Sequence, residues 1–94
     1  MIVEKPQDYI FIKFEKSHLP SKKYNAVLVH KETGREKRVP FGSLAYQQYK
    51  DKTGLNLYSH LNHLDPERRR RYRLRHRAEG PKFSSNWFSW KYLW

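Results

Sequence analysis

Residues 23–41, KYNAVLVHKETGREKRVPF, hold the pattern that decides the fold. The first half, KYNAVLVH, is rich in apolar and β-branched side chains, which favours a strand, and EKRVPF returns after a connection of five residues. Gly34 lies in that connection and can take the left-handed conformation that a tight turn requires. Pro40 has no amide hydrogen to donate to a neighbouring strand, so its strand should lie at a sheet edge or end there. The stretch therefore predicts a β-hairpin.

A further strand is predicted just before the hairpin. Residues 9–14, YIFIKF, are aromatic and β-branched, and both faces of this run are largely apolar. The predicted fold class is α+β: a small antiparallel sheet of about three strands, a short helix, an arginine-rich helix and an aromatic C-terminal arm. We expect one small domain over residues 1–94, made of an N-terminal strand segment (1–22), the sheet and helices (23–80) and the arm (81–94).

The short helix is predicted directly after the hairpin. Ser43 can cap a helix over residues 44–53, LAYQQYKDKT, and Gly54 is a suitable residue just past its end. Residues 55–64 show no clean helical or strand period. We interpret them as a loop with one turn of helix.

The arginine-rich helix has a clear predicted start. Asp65 is a suitable N-cap, Pro66 fits the first helical position, and Glu67 places a negative charge at the positive end of the helix dipole. The helix should run to about Glu79, where a Gly-Pro pair ends it.

Seven arginines fall within residues 67–77, ERRRRYRLRHR. A guanidinium group donates two parallel hydrogen bonds to a phosphate or a carboxylate, so this helix is predicted to bind a polyanion or an acidic protein partner. The alternative, a helix that is merely solvated, leaves too few acidic residues to balance these charges. The predicted binding residues are Arg68, Arg69, Arg70, Arg71, Arg73, Arg75 and Arg77.

The last stretch of the sequence is unusually aromatic. Residues 83–94 contain six aromatic side chains, which either pack back over the sheet or form an exposed apolar patch at an interface. We predict that the arm docks against another protein through Trp87, Phe88, Trp90, Tyr92 and Trp94.

Composition limits the classes of protein. The chain of 94 residues has a net charge of +11 and no cysteine, which excludes disulfides and cysteine-based zinc sites. Residues 61–94 carry nine basic and three acidic side chains, a higher charge density than residues 1–60 with eleven and six. This field attracts polyanions, nucleic acid first and acidic protein surfaces or anionic lipid next. No apolar run approaches the ~20 residues of a membrane span, and we expect no leader peptide.

An enzyme is the disfavoured class. The sequence has no glycine-rich phosphate loop, no G-x-S-x-G motif and no paired acids in an apolar setting, so we predict no catalytic residue and no cofactor. His60, His63 and His76 with Asp65 are the candidate metal ligands. They lack a rigid frame and a supporting cysteine, so we predict that no metal is bound. A small-molecule ligand is also not expected.

Four segments together resemble a known family. KTGREKRVPFG, YQQYKDKTGLNLYSHLNH, ERRRRYRLRH and FSWKYLW, in this order, are similar to a family of small, basic, uncharacterised proteins of large double-stranded DNA viruses of algae and protists. The likeness covers about residues 23–94. It implies a virion protein, present in the virus factory of the host cytoplasm or nucleus during assembly.

Two functions compete in the setting that the resemblance implies. The first is a minor capsid or other structural component of the particle, which binds neighbouring capsid subunits through basic and aromatic surfaces. The second is a basic protein that binds double-stranded DNA to organise or package the genome. The aromatic arm favours the structural role, and the arginine-rich helix by itself favours DNA.

Overall fold

The computed structural model describes residues 1–76 and 80–94. Within these residues, three antiparallel strands form one sheet in the order β1-β2-β3, and two α-helices accompany it, which confirms the predicted small α+β fold. The strands are β1 (Tyr9–Lys16), β2 (Lys22–His30) and β3 (Glu36–Ser43), and the helices are α1 (Pro66–His76) and α2 (Ser85–Tyr92). Short 3-10 turns occupy Pro6–Asp8 and Ser59–Leu61.

The predicted hairpin is present as β2 and β3. Gly34 adopts φ +71° in the connection, and its amide donates to the carbonyl oxygen of His30 at 2.9 Å. Pro40 pairs with Asn25 of the central strand, and its other side is the free edge of the sheet. A proline is tolerated there because no further strand of the described chain requires its missing amide hydrogen.

A bulge in β1 decides which side chains face the core. Phe11 pairs with Leu28 and Lys13 pairs with Val27, so Ile12 is an extra residue with no partner on β2. The extra residue resets the alternation of side chains, and Phe14 instead of Lys13 follows Phe11 onto the core face. Ile12 remains 52% exposed.

The core lies between one face of the sheet and α2. Phe88 of α2 is 1% exposed and stacks on Phe41 of β3 with ring centroids 5.5 Å apart. Leu93, just after α2, is also 1% exposed. The cluster of buried apolar residues comprises Val3, Tyr24, Ala26, Leu28, Val39, Phe41, Phe83, Phe88 and Leu93.

The predicted short helix over residues 44–53 is wrong, because these residues form turns and irregular backbone. The backbone of Gln48 instead bonds to residues 61 and 63, and its side-chain nitrogen donates to the Asn62 side chain at 2.7 Å. Asp51 accepts a short hydrogen bond from the Tyr24 hydroxyl beneath it. These long-range polar contacts satisfy groups that a helix would have to satisfy locally. Ser43 caps no helix, and its hydroxyl accepts from the Ala45 amide at 3.2 Å.

The predicted start of the arginine-rich helix is confirmed. The Asp65 carboxylate accepts from the backbone amide of Glu67 at 2.9 Å, as an N-cap does, and α1 begins at Pro66. The predicted end near Glu79 falls on residues 77–79, which lie outside the described residues.

Most of the aromatic arm forms the helix α2, Ser85–Tyr92, which the sequence did not predict. Ser84 caps α2, because its hydroxyl accepts from the Trp87 amide at 3.2 Å. Neither α1 nor α2 has the length and apolar character to cross a bilayer, and the same is true of every helix in the described part of the chain.

Candidate functional site

A cleft of about 820 Å3 opens between α1, α2 and the end of the hairpin that lies away from its turn. Five cationic side chains line it: Lys22, Lys23, Arg68, Arg71 and Arg75. Its other walls carry aromatic rings and small polar groups, among them Tyr46, Tyr72, Ser89 and Trp94. None of the described residues that line it is acidic. The cleft therefore concentrates positive charge beside flat apolar surfaces.

The arginines of α1 fall on three sides of the helix. With about 100° between successive residues, positions 68, 71 and 75 fall on one side. These three arginines line the cleft. The Arg68 guanidinium donates to the Gln47 side chain at 2.8 Å, and none of the three forms an ion pair with another described residue. All three side chains are exposed.

A second side of α1 packs against the domain. Tyr72, 8% exposed, stacks on Trp94 with ring centroids 4.3 Å apart and an interplanar angle of 4°. The backbone oxygen of Trp94 accepts from Arg69 at 2.7 Å and from Arg73 at 3.2 Å. Burial, together with the nearby Arg69, lowers the pKa of the Arg73 guanidinium. These two arginines therefore hold α1 against the C-terminal end of the described chain.

The same two arginines also lie over aromatic rings. The Arg69 guanidinium carbon is 4.9 Å from the centroid of the Tyr49 ring, and that of Arg73 is 5.0 Å from the Trp90 ring. Each contact attracts the cation to the negative face of the ring. The cations are thereby held within the domain.

A third side of α1 faces outward. Arg70 forms an ion pair with Glu67, one helical turn before it. Leu74 on this side is 60% exposed. Arg77, the last arginine of the predicted set, lies outside the described residues.

Lys23 is the buried cation of the cleft. Its side chain is 2% exposed, and its amino group donates to the backbone oxygen of Tyr46 at 2.8 Å. Burial lowers the pKa of this amine to about 8, and the charge of Asp51 opposes the shift in part. The hydrogen bond holds the loop at Tyr46, a residue that is 71% exposed and lines the cleft.

Gly42 allows the walls of the cleft to approach each other. Its φ is +78°, and a Cβ atom there would lie 2.7 Å from Cδ1 of Leu93. Any other residue would displace Leu93, which packs between β3 and the segment around Tyr49. The residue just past α2 can therefore lie directly against the sheet.

The predicted docking residues of the aromatic arm are mostly engaged within the domain. Phe88 is part of the core and is 1% exposed, so it is packed within the domain, and its docking role stays a prediction. Trp87, Tyr92 and Trp94 are half-buried against that core, and Trp90 lies under Arg73. Docking through the parts of these four rings that stay at the surface remains a prediction.

The candidate metal ligands have structural partners of their own. Nδ1 of His63 accepts from the backbone amide of Asp65 at 2.9 Å, while the Asp65 carboxylate caps α1. His76 packs on Tyr72 with ring centroids 4.1 Å apart. Burial and a neighbouring arginine lower the pKa of both histidines. Within residues 1–76 and 80–94, no three His, Asp or Glu side chains converge as a metal site would require.

No protein-family model, curated protein or solved structure matches the chain. The resemblance to proteins of large DNA viruses, and the virion location that it implies, therefore remain predictions.

The sequence predicts the wall of the cleft that α1 forms, but it does not predict the opposite wall. The spacing of Arg68, Arg71 and Arg75 is readable from the sequence as one side of a helix. Lys22 and Lys23 gave no comparable signal, because their position opposite α1 depends on how the helix packs on the sheet. Tyr46 was assigned to a helix that does not form.

Proposed function

We propose that the protein binds nucleic acid through the cleft beside α1. The observation that carries the proposal is the convergence of five cationic side chains from two separate elements on a recess whose described lining residues include no acid. A folded chain brings like charges together at an energetic cost, which a polyanionic ligand offsets. Arginine is suited to phosphate because its planar fork donates two parallel hydrogen bonds.

The aromatic rings of the cleft favour nucleic acid over a simple anion. Tyr46, Tyr72 and Trp94 line the same recess as the arginines. Nucleic-acid bases stack on aromatic side chains, whereas an inorganic anion gains nothing from them. The combination of fork donors and rings fits a ligand that carries both phosphates and bases.

A structural role in a virion is the second proposal. It depended on an aromatic arm that needed burial against another protein, but α2 buries Phe88 and Leu93 against the chain's own sheet. An acidic segment of a neighbouring subunit could still occupy the cleft, because carboxylates accept the same guanidinium donors. Such a partner would carry no bases for the exposed ring of Tyr46.

The proposal is tested by the salt dependence of binding. Each phosphate that the protein neutralises contributes about −0.9 to the slope of log affinity against log salt for duplex DNA and about −0.7 for single strands. We expect Arg71→Ala combined with Arg75→Ala to reduce the slope by between one and two units and to weaken binding at every salt concentration. Fluorescence anisotropy with labelled single-stranded and duplex DNA measures both quantities.

The matched control removes the same charge from the opposite end of the hairpin. Lys31 and Arg35 lie exposed in the β2–β3 connection, about 25 Å along the strands from the cleft. Replacing both by Ala should change the slope by much less than the cleft pair does. Equal effects of the two pairs would show that overall charge, not the cleft, drives binding, and would overturn the proposal.

A further inference from the structure

The shape of the cleft restricts the form of nucleic acid that fits. A helix that reads duplex DNA must project into a major groove about 12 Å wide. The side of α1 with Arg68, Arg71 and Arg75 does not project, because residues of β2, β3 and α2 face it across the cleft. A duplex would therefore meet these walls before its major groove could enclose this side of α1.

The arginine spacing fits a chain of phosphates. Positions 68, 71 and 75 span about 10.5 Å along the helix axis, at 1.5 Å for each residue. At the ~3.4 Å rise of a stacked strand, this length corresponds to about three nucleotides. A mononucleotide would engage one of the three guanidinium groups and leave the others without a partner.

Tyr46 supplies an exposed ring at the rim of the same cleft. It is 71% exposed, whereas Tyr72 and Trp94 are already stacked on each other. Lys23 holds Tyr46 by its backbone oxygen, so the ring has no part in that hydrogen bond. A base is accessible to such a ring only when it is not paired within a duplex.

We propose that the cleft binds single-stranded nucleic acid, with successive phosphates on Arg68, Arg71 and Arg75 and a base stacked on Tyr46. This inference rests on the proposed function and adds the form of the ligand. Lys23 acts as a positioning residue, because it orients the Tyr46 loop without facing the bases. The sugar is not part of the recognition, so DNA and RNA strands share the chemistry.

The experiment compares three labelled probes by fluorescence anisotropy at about 50 mM salt: oligo-dT and oligo-U of about 12 nucleotides, and a duplex of the same length. We expect at least one of the single strands to bind on the order of 10-fold tighter than the duplex. Tyr46→Leu should weaken single-strand binding about 5- to 100-fold, since stacking on one aromatic side chain contributes about that much. Tyr46→Phe should retain the affinity.

Leu74→Ala is the control, because Leu74 is exposed on the outward side of α1. This variant should bind each probe as the original chain does. A duplex that binds as tightly as both single strands, or a Tyr46→Leu variant with unchanged affinity, would overturn the single-strand inference and leave the proposed function standing. If none of the three probes binds, both are overturned.

Discussion

Two sides of α1 both carry arginines, but the groups that surround these arginines differ. Arg69 and Arg73 hydrogen-bond to the Trp94 backbone and lie over the rings of Tyr49 and Trp90. Arg71 and Arg75 line the cleft and have no ion-pair partner among the described residues. The difference follows from what faces each guanidinium group, since the residue type is the same on both sides. A run of arginines therefore contains structural and ligand-binding members, which only their surroundings distinguish.

The largest loss of stability is expected when the contact that holds the packed side of α1 against the domain is removed. Tyr72→Ala removes the ring that stacks on Trp94 and leaves a cavity, so we expect a loss of about 3–4 kcal/mol in the free energy of unfolding. Leu74→Ala, on the exposed side of the same helix, should cost far less. Urea denaturation of both variants measures the difference. Similar losses would show that α1 is not held by its packed side.

The buried amine of Lys23 makes the free energy of unfolding depend on pH. The folded chain holds Lys23 at a pKa of about 8, below its ordinary 10.5, so the unfolded chain binds more protons between these values. The free energy of unfolding should therefore rise with pH in that window, by up to about 2 kcal/mol between about pH 7.5 and about pH 9.5. Tyr24, whose pKa burial raises to about 12, opposes the rise only at higher pH.

Lys23→Met isolates this contribution, because methionine keeps an unbranched side chain without the amine. The variant should lose most of the rise, which urea denaturation at the two pH values measures. A rise of the same size in the variant would show that Lys23 is charged and solvated in the folded chain.

Single arginine substitutions compare the two sides of α1 directly. Arg69→Ala removes a charge-assisted hydrogen bond of 2.7 Å and a cation–π contact, and it should cost about 1–2 kcal/mol. For a domain of this size, this corresponds to a fall in Tm of roughly 5–15 °C. Arg71→Ala should leave the Tm almost unchanged and weaken ligand binding. Thermal unfolding followed by circular dichroism separates them, and a reversed order would contradict the assignment of the two sides.

The smallest effect is expected at the start of α1. Asp65→Ala removes the side chain that accepts from the Glu67 amide, at a cost of about 1 kcal/mol. Asp65→Asn keeps an acceptor in the same place and should cost less. The urea midpoints of the two variants test this order, and an equal loss would show that the charge of Asp65 matters more than its hydrogen bond.

Local signals predicted much of the fold. Gly34 and Pro40 placed the turn and the edge strand, and Asp65 with Pro66 placed the start of α1, because each depends on backbone constraints of a few neighbouring residues. The predicted helix over residues 44–53 failed because Gln48 and Asp51 bond to residues distant in the chain. Helix α2 was not predicted, because the aromatic residues within its sequence fall on several sides of a helix and therefore show no helical period.

The candidate site was predictable only on its α1 side. The charge and spacing of Arg68, Arg71 and Arg75 are properties of the chain itself, since a capped helix fixes their relative directions. Lys23 and Tyr46 line the opposite side, and each is more than twenty positions from Arg68 in the sequence. The hydrogen bond between Lys23 and Tyr46 forms only when the loop packs on the sheet.

The sequence by itself determined a basic, cysteine-free α+β chain with a hairpin and a capped arginine-rich helix, because composition and local backbone preferences act over a few residues. Only the tertiary structure decided which arginines hold α1 against the domain and which line the cleft. That distinction arises because Trp94 and Tyr49 come to lie under one side of α1, and Lys22 and Lys23 opposite another. Charge is a property of the sequence, but the neighbours that neutralise it or leave it available to a ligand are set by packing.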